Sequence, residues 1–166
     1  MKTKRPEAAP IVSEEAAQYV APEFTISLKT KGAPFADRMK ITSSRDAHKL
    51  FKRIFDVDQM EWVESFILLC LNRQYKPIGF YKVSSGGMTG TVVDPKVIFQ
   101  IALLSNACHI MVSHNHPSGN TQPSGADVEM TKRLKETGKT LDLTLLDHII
   151  VTATDNYYSF ADEGLI

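Results

Sequence analysis

Apolar residues first recur at helical spacing between residues 44 and 55, where Ala47, Leu50, Phe51, Ile54 and Phe55 fall on one side of a helix that Ser44 can cap. Downstream the period shortens. Ser65 to Leu71 and Ile78 to Ser84 read as strands, and the polar turn Asn72 to Lys76 joins them into a β-hairpin. Asp94 followed by Pro95 marks the start of a second helix, with Val97, Ile98, Ile101, Ala102 and Ser105 on its inner face and its end near Ala107. His109 to Ser113 is predicted as a short apolar strand. A third helix is expected from Ser124 to about Gly138, with Ala126, Met130 and Leu134 at i, i+4 spacing, followed by strands at Leu145 to Thr152 and Tyr157 to Phe160. Alternating strands and helices in the second half predict a single α/β (α+β) domain around a central sheet. Gly86, Gly87 and Gly90 lack the Lys-Ser/Thr ending of a P-loop and the G-x-G-x-x-G spacing, so they read as a connecting loop.

Composition narrows the setting. Residues 1–22 mix Lys, Glu, Ala and three prolines without periodicity and are expected to form a disordered tail; 23–43 is a lead-in, and 44–166 is the folded domain. With 43% hydrophobic residues in 166, the chain can bury the core of one domain. Nineteen basic and nineteen acidic side chains cancel, so no overall field draws the protein to nucleic acid or anionic lipid. Apolar runs such as Phe66 to Leu71 fall far short of the roughly 20 residues of a membrane span, and the N-terminus has no signal-like apolar region, so a soluble cytoplasmic protein is expected. Arg45, Lys49, Lys52 and Arg53 lie off the apolar stripe of the first helix and read as a solvated face rather than a nucleic-acid patch. Cys70 and Cys108 belong to no Cys-x-x-Cys pair and read as buried, reduced thiols.

Chemistry concentrates after the third strand, in His114-Asn115-His116-Pro117-Ser118-Gly119. Two histidines at i and i+2 past a strand end point to one side, and both imidazoles can reach one ion. Seven residues separate His116 from Ser124, and a helix starting there carries Asp127 in its first turn as a third ligand. Two nitrogens and one oxygen leave a fourth tetrahedral position open, the pattern of a catalytic zinc site with one ion per chain. By itself, Ser124-x-x-Asp127 also reads as a helix cap, and His48, His109 and His148 read as ordinary hydrogen-bonded histidines. A metallo-β-lactamase site would continue with Asp-His where Ser118-Gly119 stand. An amidohydrolase barrel needs at least about 200 residues. Nucleotide deaminases need His-x-Glu and Pro-Cys-x-x-Cys, both absent. The HNH nucleases spread their three residues over a ββα unit, so the match to His114-Asn115-His116 is one of letters.

His114-x-His116-Pro117 with Ser124-x-x-Asp127 resembles the JAMM motif of the JAB/MPN metallopeptidase superfamily. More narrowly, His114 to Gly119, Pro123-Ser124, Asp127 and Leu146 to Val151 resemble the RadC family, from about Ser44 to the C-terminus. The resemblance implies a mixed sheet flanked by helices, zinc on His114, His116 and Asp127, and hydrolysis of peptide or isopeptide bonds in a protein or peptide substrate. It also implies an upstream glutamate that moves the proton of the attacking water. Glu61 and Glu64 are the candidates, and Glu64-Ser65-Phe66 fits the Glu-x-Phe context, with Glu64 on the strand parity of Phe66, Leu68 and Cys70. Ser124 matches the serine that steadies the oxyanion, while remaining able to cap its helix. RadC proteins carry a DNA-repair label, and longer members have a helix-hairpin-helix segment where this chain has about 40 residues. On that departure, the alternative to an enzyme is a scaffold or DNA-processing accessory of the kind found on mobile elements.

Overall fold

Ser65 to Leu71 shows no polar alternation, and the strand it forms, β1 (Ser65–Leu71), is buried along its whole length. A continuous apolar run of this kind suits a strand covered on both faces. The structure, a computed structural model, describes residues 33–86 and 93–166; the expected tail over 1–22, the start of the lead-in, and Gly87 and Gly90 lie outside the described residues.

Around β1 the described residues form a five-stranded mixed sheet. β2 (Pro77–Ser85), β3 (His109–Asn115), β4 (Thr144–Val151) and β5 (Tyr157–Ser159) complete it in the order β2-β1-β3-β4-β5. β1 is antiparallel to β2 and to β3, and β5 is antiparallel to β4. β3 and β4 are parallel, so the chain between them must cross back over the sheet. Three helices cover the faces: α1 (Ser44–Ile54), α2 (Pro95–Leu104) and α3 (Gly125–Thr140). On one face Phe66, Leu68, Cys70, Ile110 and Val112 pack with Ile98, Phe99 and Ala102 of α2 and Leu134 of α3. On the other, Ile67, Leu69, Met111, Ile149 and Val151 pack with Ala47, Phe51 and Phe55. The α/β architecture is the one the sequence pattern predicts.

Local details differ from the pattern. Ser43, not Ser44, caps α1, accepting from the Asp46 N–H, because its extended backbone (φ −153°) turns the hydroxyl toward that orphan donor. α2 ends at Leu104, where the Ser105 hydroxyl bonds back to the Ala102 carbonyl and Asn106 takes a left-handed φ of 52°. The buried stripe of α3 is Thr131, Leu134 and Gly138, while Ala126 faces solvent. Those stripes are one residue apart in register, and the polar Asp127 and Thr131 disguised the inner one. Cys108 is half-buried rather than buried, while Cys70 is buried; both are free thiols. Of the four α1 cations, Lys52 is engaged: its ammonium donates to the carbonyls of Thr152, Ala153 and Thr154. No helix among the described residues is long and apolar enough to cross a membrane.

Candidate metal centre

β3 ends at Asn115, and its last residues set alternating directions. His114 lies opposite Phe66 of β1, so it faces the α2/α3 side of the sheet, and its side chain is 1% exposed. His116 remains tied to β4 by its N–H bond to the Val151 carbonyl, which keeps its side chain on the same side. Pro117-Ser118-Gly119 then turns the chain; the Gly119 N–H closes on the His116 carbonyl, and Gly119 has φ 78°, where a side chain would be strained. The loop returns to α3 at Ser124. There the Ser124 hydroxyl accepts from the Asp127 N–H, and the Asp127 carboxylate reaches back to the Ser124 N–H, a capping box with aspartate in the third position.

These elements bring the His114, His116 and Asp127 ligand atoms within 4.8 Å of one another. The two Nε2 atoms are 2.9 Å apart. Asp127 Oδ1 is 3.3 Å from His114 Nε2, and Oδ2 is 3.8 Å from His116 Nε2. Ligands about 2.0–2.2 Å from a tetrahedral zinc stand roughly 3.3–3.5 Å apart, and the observed separations bracket that value. Oδ2 also takes both Ser124 bonds, from the N–H at 2.7 Å and the hydroxyl at 2.6 Å, leaving Oδ1 the freer oxygen for an ion.

The protonation pattern tests the fit to a cation. His116 Nδ1 is 2.6 Å from the Asn120 carbonyl, which can only accept, so that nitrogen carries the proton and a neutral His116 presents a lone pair at Nε2. That lone pair points at His114 Nε2 and at a carboxylate. Such a cluster lacks one positive charge, which a metal ion or a proton can supply. In keeping with this, the neighbouring Asp127 carboxylate raises the His116 imidazole above its ordinary value, against its burial, with the Asn120 carbonyl and the charge of Glu64 adding to the effect. Burial would raise the Asp127 carboxyl, but the neighbouring His114 and His116 imidazoles and the Ser124 bonds outweigh burial and hold it well below the usual carboxylate range. The donor set therefore fits a divalent ion of the zinc type.

The remaining candidates divide into those near this cluster and those away from it. Glu64 immediately precedes β1, two residues before Phe66, the partner of His114, and the titration of His116 feels its charge. Glu61 is exposed in the turn before it. Ser124 is exposed at the start of α3, its hydroxyl proton given to Asp127. His48 is buried on α1 and stacks on Tyr157, and His109 stacks on Tyr75, both away from the cluster. A cavity of about 390 Å³ lies on the opposite, α1 face and is lined by none of His114, His116 and Asp127.

Three residues emerge that the sequence did not single out. Asn115, between the histidines, points to the other face: its carbonyl accepts from the Ser65 N–H, and its NH₂ donates to the Met60 and Val63 carbonyls. It thus grips the backbone on both sides of Glu64. His148, read above as an ordinary hydrogen-bonded histidine, is fully buried on β4 against His114, because its strand lies in the sheet's interior between β3 and β5. Thr131 bonds it from α3. Spacing alone could have flagged Thr131, four residues from Asp127 on the same helical face.

A mixed sheet with a helix on one face and two on the other, and a His-His-Asp cluster where β3 meets α3, defines the JAB/MPN class of α/β domains. A family model described as the RadC-like JAB domain matches residues 41–165. The chain belongs to that RadC-like JAB family. Among its relatives, a UPF0758 protein of Flavobacterium johnsoniae is 36% identical over 93% of this chain, and one of Chlorobaculum parvum is 34% identical over 95%. One of Salinibacter ruber is 36% identical over 78%. All three are longer, the chain spanning 66, 68 and 54% of their lengths respectively.

Proposed function

We propose that this chain is a zinc-dependent hydrolase that cleaves peptide or isopeptide bonds, with zinc held by His114, His116 and Asp127. The observation that carries the reading is the convergence of two imidazole nitrogens and a carboxylate on one point, with Glu64, just before β1, near enough for its charge to act on His116. Bound there, zinc supplies Lewis acidity, polarising a carbonyl and lowering the pKa of water to about 7. Glu64 then has the work of a general base and acid: it takes a proton from the attacking water and delivers it to the leaving amine. Asn115 holds the backbone on either side of Glu64, so the carboxylate has a fixed origin. Ser124 steadies the developing oxyanion by turning its hydroxyl from Asp127 toward it, while its backbone still starts α3.

Metal analysis of purified protein should find about one zinc per chain, lost in His114→Ala and Asp127→Ala. Against a library of fluorogenic peptides and lysine-isopeptides, Glu64→Gln should keep its zinc and lose ~10²–10⁴-fold in cleavage rate. Glu61→Gln should behave as wild type. Absence of zinc binding rejects the metal reading. Zinc retention with no cleavage by wild type of any library member would favour a scaffold role instead.

A further inference from the structure

His148 has no place in the reaction above, yet it is fully buried directly behind a proposed ligand. Its ring is stacked on Phe160 at 4.6 Å and meets the edge of Phe66 at 5.5 Å. His148 Nε2 is 2.8 Å from His114 Nδ1, and His148 Nδ1 is 2.6 Å from the Thr131 hydroxyl oxygen. That hydroxyl in turn is 2.6 Å from the main-chain carbonyl of Asp127. The contacts therefore form one line, from the backbone of one proposed ligand to the ring of another.

Counting protons along this line leaves one arrangement. A carbonyl can only accept, so the single Thr131 proton goes to Asp127. The Thr131 oxygen must then accept, and the His148 Nδ1–H is its donor. Between two aromatic rings, and with neither ring nitrogen bonded to a carboxylate, the His148 imidazole stays neutral, and its Nε2 is a lone pair. His114 must donate to that lone pair from Nδ1. A neutral His114 then has a bare Nε2, the nitrogen that faces His116 and Asp127.

We propose that Thr131 and His148 are positioning residues, a relay that locks His114 in its Nδ1–H tautomer and so holds its Nε2 ready to ligate before any ion arrives. Metal-bound histidines commonly donate their second N–H to a carboxylate, a carbonyl or water. Here the partner is a second, neutral imidazole whose own tautomer is imposed by a threonine. The consequence for ion affinity rests on the proposed metal site; the tautomer itself does not.

The test uses the full chain labelled with nitrogen-15 and stripped of metal with a chelator, with tautomers read from long-range proton–nitrogen correlation spectra. Wild-type His114 should show a protonated Nδ1 and a bare Nε2. Thr131→Val keeps the shape but removes the acceptor, so His114 should shift toward the Nε2–H form, and zinc affinity measured by chelator competition should fall 10–100-fold. Thr131→Ser should restore both. An Nε2–H tautomer in wild type overturns the proposal without reference to any variant, so a misfolded Thr131→Val would not shelter it. Unchanged tautomer and affinity in a folded Thr131→Val would also overturn it. If the tautomers respond as expected but wild type binds no zinc, the relay stands and the metal reading falls.

Discussion

Asn115 sits between two candidate ligands and reaches away from both. Its amide replaces the ladder bonds that the chain before β1 would otherwise lack, satisfying the Ser65 N–H and the Val63 and Met60 carbonyls from a buried position. Asn115→Ala would orphan all three groups; at about 1–3 kcal/mol for each unsatisfied buried group, partly relieved by entering water, a loss of roughly 2–4 kcal/mol is expected in denaturant unfolding. Zinc content should be unchanged, since no ligand atom moves, while any cleavage that depends on Glu64 should fall. An unaltered unfolding midpoint would mean that Asn115 does not hold this segment. Asp147 makes a different residue-scale prediction. Burial raises its carboxyl to about 6, despite bonds from the Ser159 hydroxyl and the Ala161 and His148 N–H groups, with the Asp162 charge adding to the rise. Because the folded value lies above the unfolded one, its stabilising contribution is complete below about pH 4 and is lost as pH rises through about 6. The loss is on the order of 2–3 kcal/mol. Asp147→Asn cannot titrate, so the difference in unfolding free energy between variant and wild type should change over that window. A constant difference from pH 4 to 7 would contradict it.

At the scale of elements, α3 matters most, because it presents Asp127 at its start and Thr131 one turn later, then seats its far end against the chain entering β4. Gly138 is the contact that seats it. A Cβ built there would overlap the Leu143 carbonyl oxygen, and the Leu143 N–H bonds the Gly138 carbonyl at 2.8 Å. Helix propensity alone says that Gly138→Ala should stabilise by about 1 kcal/mol. Steric overlap with backbone, which cannot rotate aside, reverses the sign, and a net loss of ~1–3 kcal/mol is expected. Thermal unfolding decides between the two, and a raised melting temperature would show that the α3–β4 connection yields easily.

For the molecule as a whole, the sheet divides the work. The α1 face is an apolar core with a cavity at its edge, whereas the α2/α3 face passes from apolar packing into the His-His-Asp cluster at the end of β3. An ion there would bridge β3 to α3, two parts of the chain otherwise joined by the loop from Pro117 to Pro123, so binding should stabilise the native state globally. At zinc concentrations 100 to 1,000 times the Kd the gain is about 2.7–4.1 kcal/mol. That corresponds to a rise in Tm of roughly 5–15 °C for a chain of this size. Differential scanning fluorimetry should show the rise with zinc, its reversal by chelator and its absence in His114→Ala. An equal response from His114→Ala would place the ion elsewhere.

The order of elements and the grouping of His114, His116 and Asp127 were legible in the sequence, because each is a short-range pattern: apolar period, capping residues, spacing along a few turns of chain. The roles of His148, Thr131 and Asn115 were not. His148 is 34 residues from His114, and Asn115 is 50 residues from Ser65. What joins them is the parallel pairing of β3 with β4 and the antiparallel pairing of β3 with β1, both non-local hydrogen-bond ladders. Polar character at Thr131 and Asp127 likewise hid the buried face of α3, since an apolar stripe is visible only where burial and hydrophobicity coincide. Composition and spacing thus determined which groups could ligate. Only the tertiary structure decided which nitrogen of His114 is bare and what anchors the backbone beside Glu64, because proton positions in a buried network depend on partners that the linear chain does not reveal.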